Sequence, residues 1–489
     1  MIEGWISEEF SSLDLGDTRL NRRAMEFVAQ AAGIGNSNPD RCRTPGSLKS
    51  LYRLTDNPKV DVDKLFQAHN ESSIDRCSQE SLVYLAQDST EVDLTKPQTE
   101  VVGAGPLGAG SRRGFFFHPS VAVSKAGIPL GQVDQVIWAR DTKSLGLTAK
   151  ERSTQRQQAC FEEKESARWL EILQSNEQLA RRFPQTHFIS IADSEADISE
   201  LFCEGAEFPE NFDFIIRGCR QHNIVSAIDS ATGQPLEASS VEQAMQLATQ
   251  RFTREVSVGP RPAPQTPDDK KRVRKQARTA RQATLTISTA TVTLAGPRRS
   301  GGGHLPDSSL NVVRLLEENP PEGEPPIHWL LYTTLPVNSE AEVWAVIDGY
   351  CQRWNIELYF MTLKSGMKIE DMKYKTLPRY LNAFAMLAVV AWRVEHIKKA
   401  ARVDPEAPCT KYFTEPQWVA VMAFQTQQPV DKNRPPTMAE FLKTMAMLGG
   451  YINKKAQGPP GSKTIWRGMA RFETIVQAFE AFKQMTCGV

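Results

Sequence analysis

The chain has no apolar run long enough to span a membrane. Its longest, "AFAMLAVVAW" at 383–392, is about half of what a spanning helix needs. The N-terminus, "MIEGWISEEF", lacks the basic segment and the apolar segment of a secretory signal. No Cys-x-x-Cys occurs. The eight cysteines, Cys42, Cys77, Cys160, Cys203, Cys219, Cys351, Cys409 and Cys487, stand singly, and the seven histidines do not cluster with them. That pattern argues against a zinc site and for a reducing, cytoplasmic setting with no membrane partner. Net charge is also missing, with 58 basic against 58 acidic side chains. A balanced total neither demands nor excludes a polyanionic partner, because local clusters decide such binding. No internal repeat is present.

What is there is ordinary in bulk. At 489 residues, 24% charged and 40% hydrophobic, the chain reads as a soluble globular protein. Its length exceeds a single small core and suggests about two to four domains.

Residues 1–75 read as a helical module. "EEFSSLDLGDTRLNRRAMEFVAQAAG" breaks at Gly16-Asp17, then carries Arg19, Arg22 and Arg23 on a helix ending near Gly33. "TPGSLKSLYRLTDNP" has a Thr cap, a Pro in the first turn and a stop at Asn57-Pro58. From about residue 80 the character changes. "SLVYLAQDST" is a β-rich run ending at Asp88, and "GFFFHPSVAVS" and "IPLGQVDQVIWA" follow at hairpin spacing across "KAG". Then come a helical "KESARWLEILQSNEQLARRF", a buried strand "THFISIADSEAD" ending at Asp193, a short helix, and the strand "NFDFIIRG". Three antiparallel strands, helix, strand, helix, strand is the order of a ribonuclease-H-like α/β core. Residues 220–335 read as a β-rich insertion, marked by alternating β-branched residues such as those in "ATLTISTATVTLAG". Residues 341–400 return to helix, and 401–489 form a helical C-terminal region.

One stretch poses a question. "YCQRWNIELYFMTLK" (350–364) places Tyr350, Arg353, Glu357 and Lys364 at steps of three, four and seven. On a continuous helix these four fall within roughly 60° of one another, a polar stripe about four turns long. Most of the other residues are apolar or aromatic, the reverse of a surface helix. Two readings remain open at this level: i,i+4 ion pairs on a solvated face, or a site.

Asp88 and Asp193 each close a strand, and the C-terminal edge of an α/β sheet is where sites form. Glu357 from the following helix would complete a set of three carboxylates. With no Cys or His beside them, such a set suits a hard, oxygen-loving cation, Mg²⁺ or Mn²⁺ rather than Zn²⁺. Two such ions would clamp an in-line phosphoryl displacement. The alternative for each Asp is a helix N-cap. "DSEAD" also offers Glu195 and Asp197, and "DSTEVD" offers Glu91 and Asp93. The first Asp of each is preferred because it directly follows the apolar run.

With those residues in place the chain resembles the bacterial cut-and-paste DDE transposases of the insertion-sequence-four-like group. Tyr350, Arg353, Glu357 and Lys364 match that family's Tyr-x2-Arg-x3-Glu-x6-Lys signature. "LAQDSTEVDL" and "IADSEADI" resemble its first and second Asp strands, and "EGEPPIHWLLYTTLPV" and "LGGYINKKAQGPPG" resemble further segments. The likeness runs from about Leu15 to the C-terminus and is weak at 220–300 and around 400–440.

The resemblance implies Asp88, Asp193 and Glu357 as a catalytic, metal-binding triad holding two Mg²⁺ ions, with Mn²⁺ able to substitute. It implies nicking at a transposon end, a hairpin intermediate, reopening by water and joining of the 3′-OH ends to target DNA. Tyr350, Arg353 and Lys364 would then hold phosphates. Trp329 matches the position that stacks on an extruded base, with Trp354 an adjacent candidate, and Arg217 matches another phosphate contact. Arg19, Arg23, Tyr52 and Arg53 match the family's DNA-contacting region, which would make 1–75 a DNA-binding domain for terminal inverted repeats. Residues 76–400 would be the catalytic domain, and 401–489 a dimerisation domain acting in a DNA-bridged homodimer of a nucleoid-associated bacterial protein.

The basic run "KKRVRKQARTAR" (270–281), with seven basic residues in twelve, fits a DNA-backbone contact or a solvated loop. Two departures from the family stand out: Leu358 follows Glu357 where relatives often carry a second Glu, and "QGPPGSK" is unusually rich in Pro and Gly. A nuclease of the same fold without strand transfer, and a catalytically silent DNA-binding regulator, are the competing functions.

Overall fold

The computed structural model describes residues 4–486 apart from 33–36, 97–99, 109–110, 142–150, 152–153, 155–160, 162, 262–276, 299–302 and 455–459. Most of the basic run 270–281 therefore lies outside the described residues. The chain divides into two units, Met1–Arg152 with Trp354–Val489, and Ser153–Arg353.

The first unit begins with helices α1 (Gly4–Glu9), α2 (Thr18–Ala32), α3 (Asn38–Cys42), α4 (Pro45–Thr55) and α5 (Val62–Cys77). The starts of α3, α4 and α5 follow from capping: the side chains of Ser37, Thr44 and Asp61 accept hydrogen bonds from the amides of Asp40, Ser47 and Asp63. Helix α2 buries Ala24, Phe27, Val28 and Ala31, a spacing of three and four that faces them into one core. Strands β1 (Leu82–Gln87), β2 (Thr90–Asp93), β3 (Gly105–Pro106), β4 (Arg113–Ser124) and β5 (Pro129–Trp138) follow. β4 and β5 form the expected hairpin, turning at Gly127, whose φ of 85° suits glycine.

β1 and β2 run in one register along β4, with Gln87 opposite Ser120 and Thr90 opposite Phe117. Between them the ladder lapses at Asp88-Ser89, and the shared register sets Asp88 opposite Pro119, a residue with no N–H to donate.

In the second unit, α6 (Ala167–Arg182) leads to β6 (His187–Ala192), α7 (Ser199–Glu204) and β7 (Phe212–Arg217). The crossover makes β6 and β7 parallel, with Ile191 opposite Ile215. Then come β8 (Ile224–Asp229), α8 (Val241–Leu247), β9 (Gln250–Val258), β10 (Arg281–Leu294), β11 (Ser308–Glu317), β12 (His328–Thr333) and α9 (Glu340–Cys351). β12 returns antiparallel beside β7, β11 pairs β12, β10 pairs β11, and β8 and β9 share the outer edge of β10.

The first unit resumes with α10 (Trp354–Met361), a π-helical turn at Thr362–Gly366, and α11 (Leu377–Val403), then closes with α12 (Glu415–Thr426), α13 (Met438–Leu448) and α14 (Ser462–Thr486). Helix α11 buries every residue of 383–392, so the longest apolar stretch of the chain is a core helix, apolar all round because it is packed all round. It lies against α2, α4, α5, β5 and α13. Among the described residues no helix is long and apolar enough to cross a membrane. The architecture is a ribonuclease-H-like α/β core with a β-rich insertion, flanked by helical N- and C-terminal regions.

The structure corrects one expectation. Residues 350–364 are not one helix. α9 ends at Cys351, where Gln352 and Arg353 donate to the carbonyls of Gly349 and Tyr350, bonds of the tighter i→i−3 kind. Gly349, weak in helix propensity, lies at this point, and the division between the two units falls just after it, between Arg353 and Trp354. The four signature residues are therefore shared between a helix end, a turn, a new helix and a π turn.

Candidate active site

Two of the three expected carboxylates belong to the first unit. Asp88 sits in the lapse between β1 and β2, 8% exposed, its carboxylate accepting from the Ser89 amide at 2.8 Å. Next to it Ser89 Oγ meets His118 Nδ1 at 2.8 Å, which ties the neighbouring hydroxyl to β4. Its sequence neighbours are used elsewhere: Glu91 and Asp93 both pair with Arg112, at 2.7 and 2.9 Å. Glu357 lies in the first turn of α10 and is half-buried, while Asn355, Ile356, Tyr359 and Phe360 face the core. α10 packs against β1, the strand that ends beside Asp88. One unit thus sets both carboxylates on adjoining elements. Lys364 follows in the π turn.

Asp193 belongs to the second unit, at the end of β6. There it caps a short turn at Ser194–Ala196, accepting from the Glu195 amide at 2.8 Å. The structure separates it from Asp197. Asp197 is fully buried and held by His222 Nε2 at 2.6 Å and by the amides of Cys219 and Arg220 at 2.7 Å each. Burial alone would raise its carboxyl, but these donors outweigh it and hold it below the ordinary range. Asp197 is an internal brace; Glu195 is exposed.

Around Asp193 the same unit gathers an aromatic and cationic set. The β7–β12 register puts Arg217 opposite Leu331, so Trp329, two residues away, shares its face of the sheet. The Arg217 guanidinium lies 5.8 Å from the Trp329 ring centroid. Tyr350 meets Trp329 edge-to-face at 5.1 Å and is 4% exposed. Burial raises the Tyr350 phenol, against the lowering influence of nearby Arg353 and Arg217. Arg353 stands half-buried in the turn after α9, and Trp354 opens α10 at 61% exposed, not in the core.

In the helical module Arg19 is open, its side chain 90% exposed and paired with Asp17 at 3.1 Å. Arg53 is exposed on α4, and Tyr52 is 39% exposed with its ring against Tyr374. Arg23 differs. It reaches from α2 to Glu26 and to the Ser47 carbonyl and hydroxyl, bracing α2 against α4.

The donor set is oxygen-only, since His118 is committed to Ser89 and Gln87. That chemistry fits Mg²⁺ or Mn²⁺. Among the described residues no group of three or more His, Cys, Asp or Glu forms a metal-holding cluster. Asp88 and Glu357 lie in one unit and Asp193 in the other, so neither unit holds the full set by itself. Sequence reasoning missed a group around the π turn: Arg41, Thr362, Glu395 and Lys398, all buried. The signal for it was a charged pair at i,i+3 just after the longest apolar stretch of the chain, on the same helix.

Three family models match. Residues 2–60 match a transposase DNA-binding domain, 168–393 a transposase DDE domain, and 389–484 a transposase Tn5 dimerisation domain. The chain carries the three domains of a DDE transposase. The DNA-binding match takes in Arg19, Arg23, Tyr52 and Arg53. The DDE match takes in Asp193, Arg217, Trp329, Glu357 and Lys364 and begins after Asp88, and the dimerisation match covers α12 to α14. Among solved structures the chain is similar to a piggyBac transposase synaptic complex with hairpin DNA. The identity is 9%, over 96% of this chain and 83% of that one, with a TM-score of 0.31, too slight a likeness to bear on fold or chemistry.

Proposed function

We propose that the chain is a cut-and-paste DNA transposase of the insertion-sequence-four-like group. On this reading it binds terminal inverted repeats, cuts transposon ends through a hairpin intermediate and joins the 3′-OH ends to target DNA. The observation that carries this is that α10, which bears Glu357, packs against β1, the strand that leads directly into Asp88, in a chain that also follows a parallel strand with Asp193. Asp88, Asp193 and Glu357 would together hold two Mg²⁺ ions, with Mn²⁺ as substitute. The chemistry supplied by such ions is activation of an attacking oxygen and stabilisation of a leaving one, which suits nicking, hairpin formation, hairpin opening and strand transfer alike.

The chain's own groups do the rest. Arg353, Lys364, Arg217 and the Tyr350 hydroxyl hold phosphates near the cleaved bond. A hairpin needs a sharply bent backbone and an extruded base, whose unstacking costs a few kcal/mol. The ring of Trp329 offsets that cost by stacking, and exposed Trp354 offers a second face. Arg19, Arg23, Tyr52 and Arg53 serve terminal-repeat binding. The dimer forms through the C-terminal helices, where Phe424 and Phe482, 53% and 63% exposed, border an apolar groove of about 740 Å³. Each catalytic domain would then cut the end held mainly by its partner.

The test is incubation with Mg²⁺ and DNA carrying the inverted repeats that flank the gene, read on a denaturing gel. Hairpinned ends support transposition, nicks without hairpins favour a nuclease, and neither product favours a silent regulator. Glu357→Gln is expected to abolish all cleavage while repeat binding persists; loss of binding as well would count against the role given to Glu357.

A further inference from the structure

An i→i+5 bond closes the C-terminal end of the π turn that carries Lys364. The Met367 N–H donates to the Thr362 carbonyl at 2.7 Å, spanning five residues. Such turns are rare and depart from the α-helical ladder, so the surroundings must hold them. Here both ends of the bond are gripped from outside. Thr362 is 4% exposed, and its hydroxyl donates to Glu395 Oε1 of α11 at 2.6 Å. Glu395 is paired in turn with Lys398 further along α11, each 1% exposed. At the other end the Met367 carbonyl accepts from the Arg41 guanidinium of α3, also 1% exposed. Arg41 donates to Asn38 Oδ1 at 3.1 Å, and Asn38 Nδ2 donates to the Tyr374 hydroxyl at 3.0 Å.

Apolar residues of the same volume would pack these positions at no electrostatic cost, because buried ion pairs seldom repay their desolvation. What they provide in exchange is direction: a hydroxyl and a carbonyl fixed at the two ends of one turn. The turn joins Glu357, in the first turn of α10, to the loop before α11, with Lys364 at its centre.

We propose that Arg41, Thr362, Glu395 and Lys398 are positioning residues that clamp the π turn so that Lys364 and Glu357 are presented in catalytic register. The proposal rests on the transposase reading above for what those two residues do. None of the four touches reacting atoms. Arg41 also makes the clamp depend on the DNA-binding module, since α3 lies within it.

The clamp is tested without knowing the terminal repeat. Supercoiled plasmid with Mn²⁺ serves as the probe for nicking, and hydrogen exchange of the 363–367 amides reads the turn itself. Thr362→Val keeps the branched shape and removes the hydroxyl; Thr362→Ser restores it; Arg41→Met releases the other end. Thr362→Val and Arg41→Met are expected to speed exchange at 363–367 with the rest of the protein unchanged. Nicking should slow about 10- to 100-fold, the scale of a small misplacement of a catalytic group, with plasmid binding unaltered. Thr362→Ser is expected to match wild type in both. Unchanged exchange, faster exchange with undiminished nicking, or exchange rising throughout the protein would each overturn the clamp. If wild type itself leaves the plasmid intact, the transposase reading fails, while the exchange data still decide whether the turn is clamped.

Discussion

Trp329 meets Tyr350 edge-to-face, their ring centroids 5.1 Å apart and their planes at 75°. The contact joins β12 to α9 and leaves Trp329 only half-buried, so one tryptophan both supports Tyr350 and presents aromatic surface. Trp329→Ala is expected to slow hairpin formation more than first-strand nicking. A lost base stack is worth about 1–3 kcal/mol, roughly a 5- to 150-fold effect on the hairpin step. Single-turnover gels separate the two steps, and equal losses in both would contradict base stacking.

Asp193 and Asp197 lie four residues apart in one loop and should part company under the same substitution. Asn caps a turn as well as Asp does, so Asp193→Asn is expected to leave the melting temperature near wild type and abolish cleavage. Asp197→Asn takes the charge from a buried carboxylate bonded to His222 and two amides, and should cost about 2–4 kcal/mol of stability. Thermal melts and plasmid nicking, run side by side, check both halves.

Glu9 ties α1 to α5. Its carboxylate is 3% exposed, 2.5 Å from His69 Nδ1 and 2.9 Å from Arg76. The Gln132 N–H donates to His69 Nε2 at 3.1 Å, so Nδ1 carries the proton toward Glu9 and the ring is neutral. Burial pushes the Glu9 carboxyl up, but His69 and Arg76 outweigh it and bring it down to about 2. A carboxyl depressed by folding adds stability that is complete above its ordinary value of 4.5 and fades as pH falls toward about 2. Burial also depresses His69 from 6.5, despite Glu9, so stability is lost in the same direction as pH drops below that value. Glu9→Gln is expected to cost about 3 kcal/mol at neutral pH and to flatten the acid side of the stability curve. Urea melts taken from neutral to acid pH test both.

Helices α13 and α14 cross at two glycines. A Cβ on Gly468 would stand 1.8 Å from the Met445 carbonyl oxygen, and one on Gly449 1.8 Å from that of Thr464. Backbone, not a flexible side-chain end, occupies that space. Gly468→Ala should force the helices apart, cost about 1–3 kcal/mol or more, and weaken dimerisation with it. Melting temperature and light scattering on DNA-bound protein are the measures; an unaltered melt would show that the crossing yields freely.

Much of the architecture was legible in the residues. The helix start at Thr44 follows from its cap, the β4–β5 hairpin from two apolar runs around "KAG", and the ends of β1 and β6 from an Asp after an apolar run. The signature spacing across 350–364 was legible as composition but misleading as geometry. Helical periodicity assumes a continuous helix, and nothing stronger than the adjacent Gly349 announces that α9 stops at Cys351. Likewise Arg22 and Arg23 are adjacent and alike, yet one side chain is 75% exposed and the other 17%, because only Arg23 faces α4.

By itself the sequence determined which short segments become helix or strand, where caps and turns fall, and that an acidic residue directly follows β1 and β6. These depend on residues within a few positions of one another. Only the tertiary structure decided that Asp197 braces while Asp193 caps, that Asp88 sits in a ladder gap opposite Pro119, and that the π turn is clamped by Arg41 and Glu395. In the clamp, Arg41 and Met367 are 326 positions apart. Their meeting is set by how whole elements pack, a property that no local window of the chain contains.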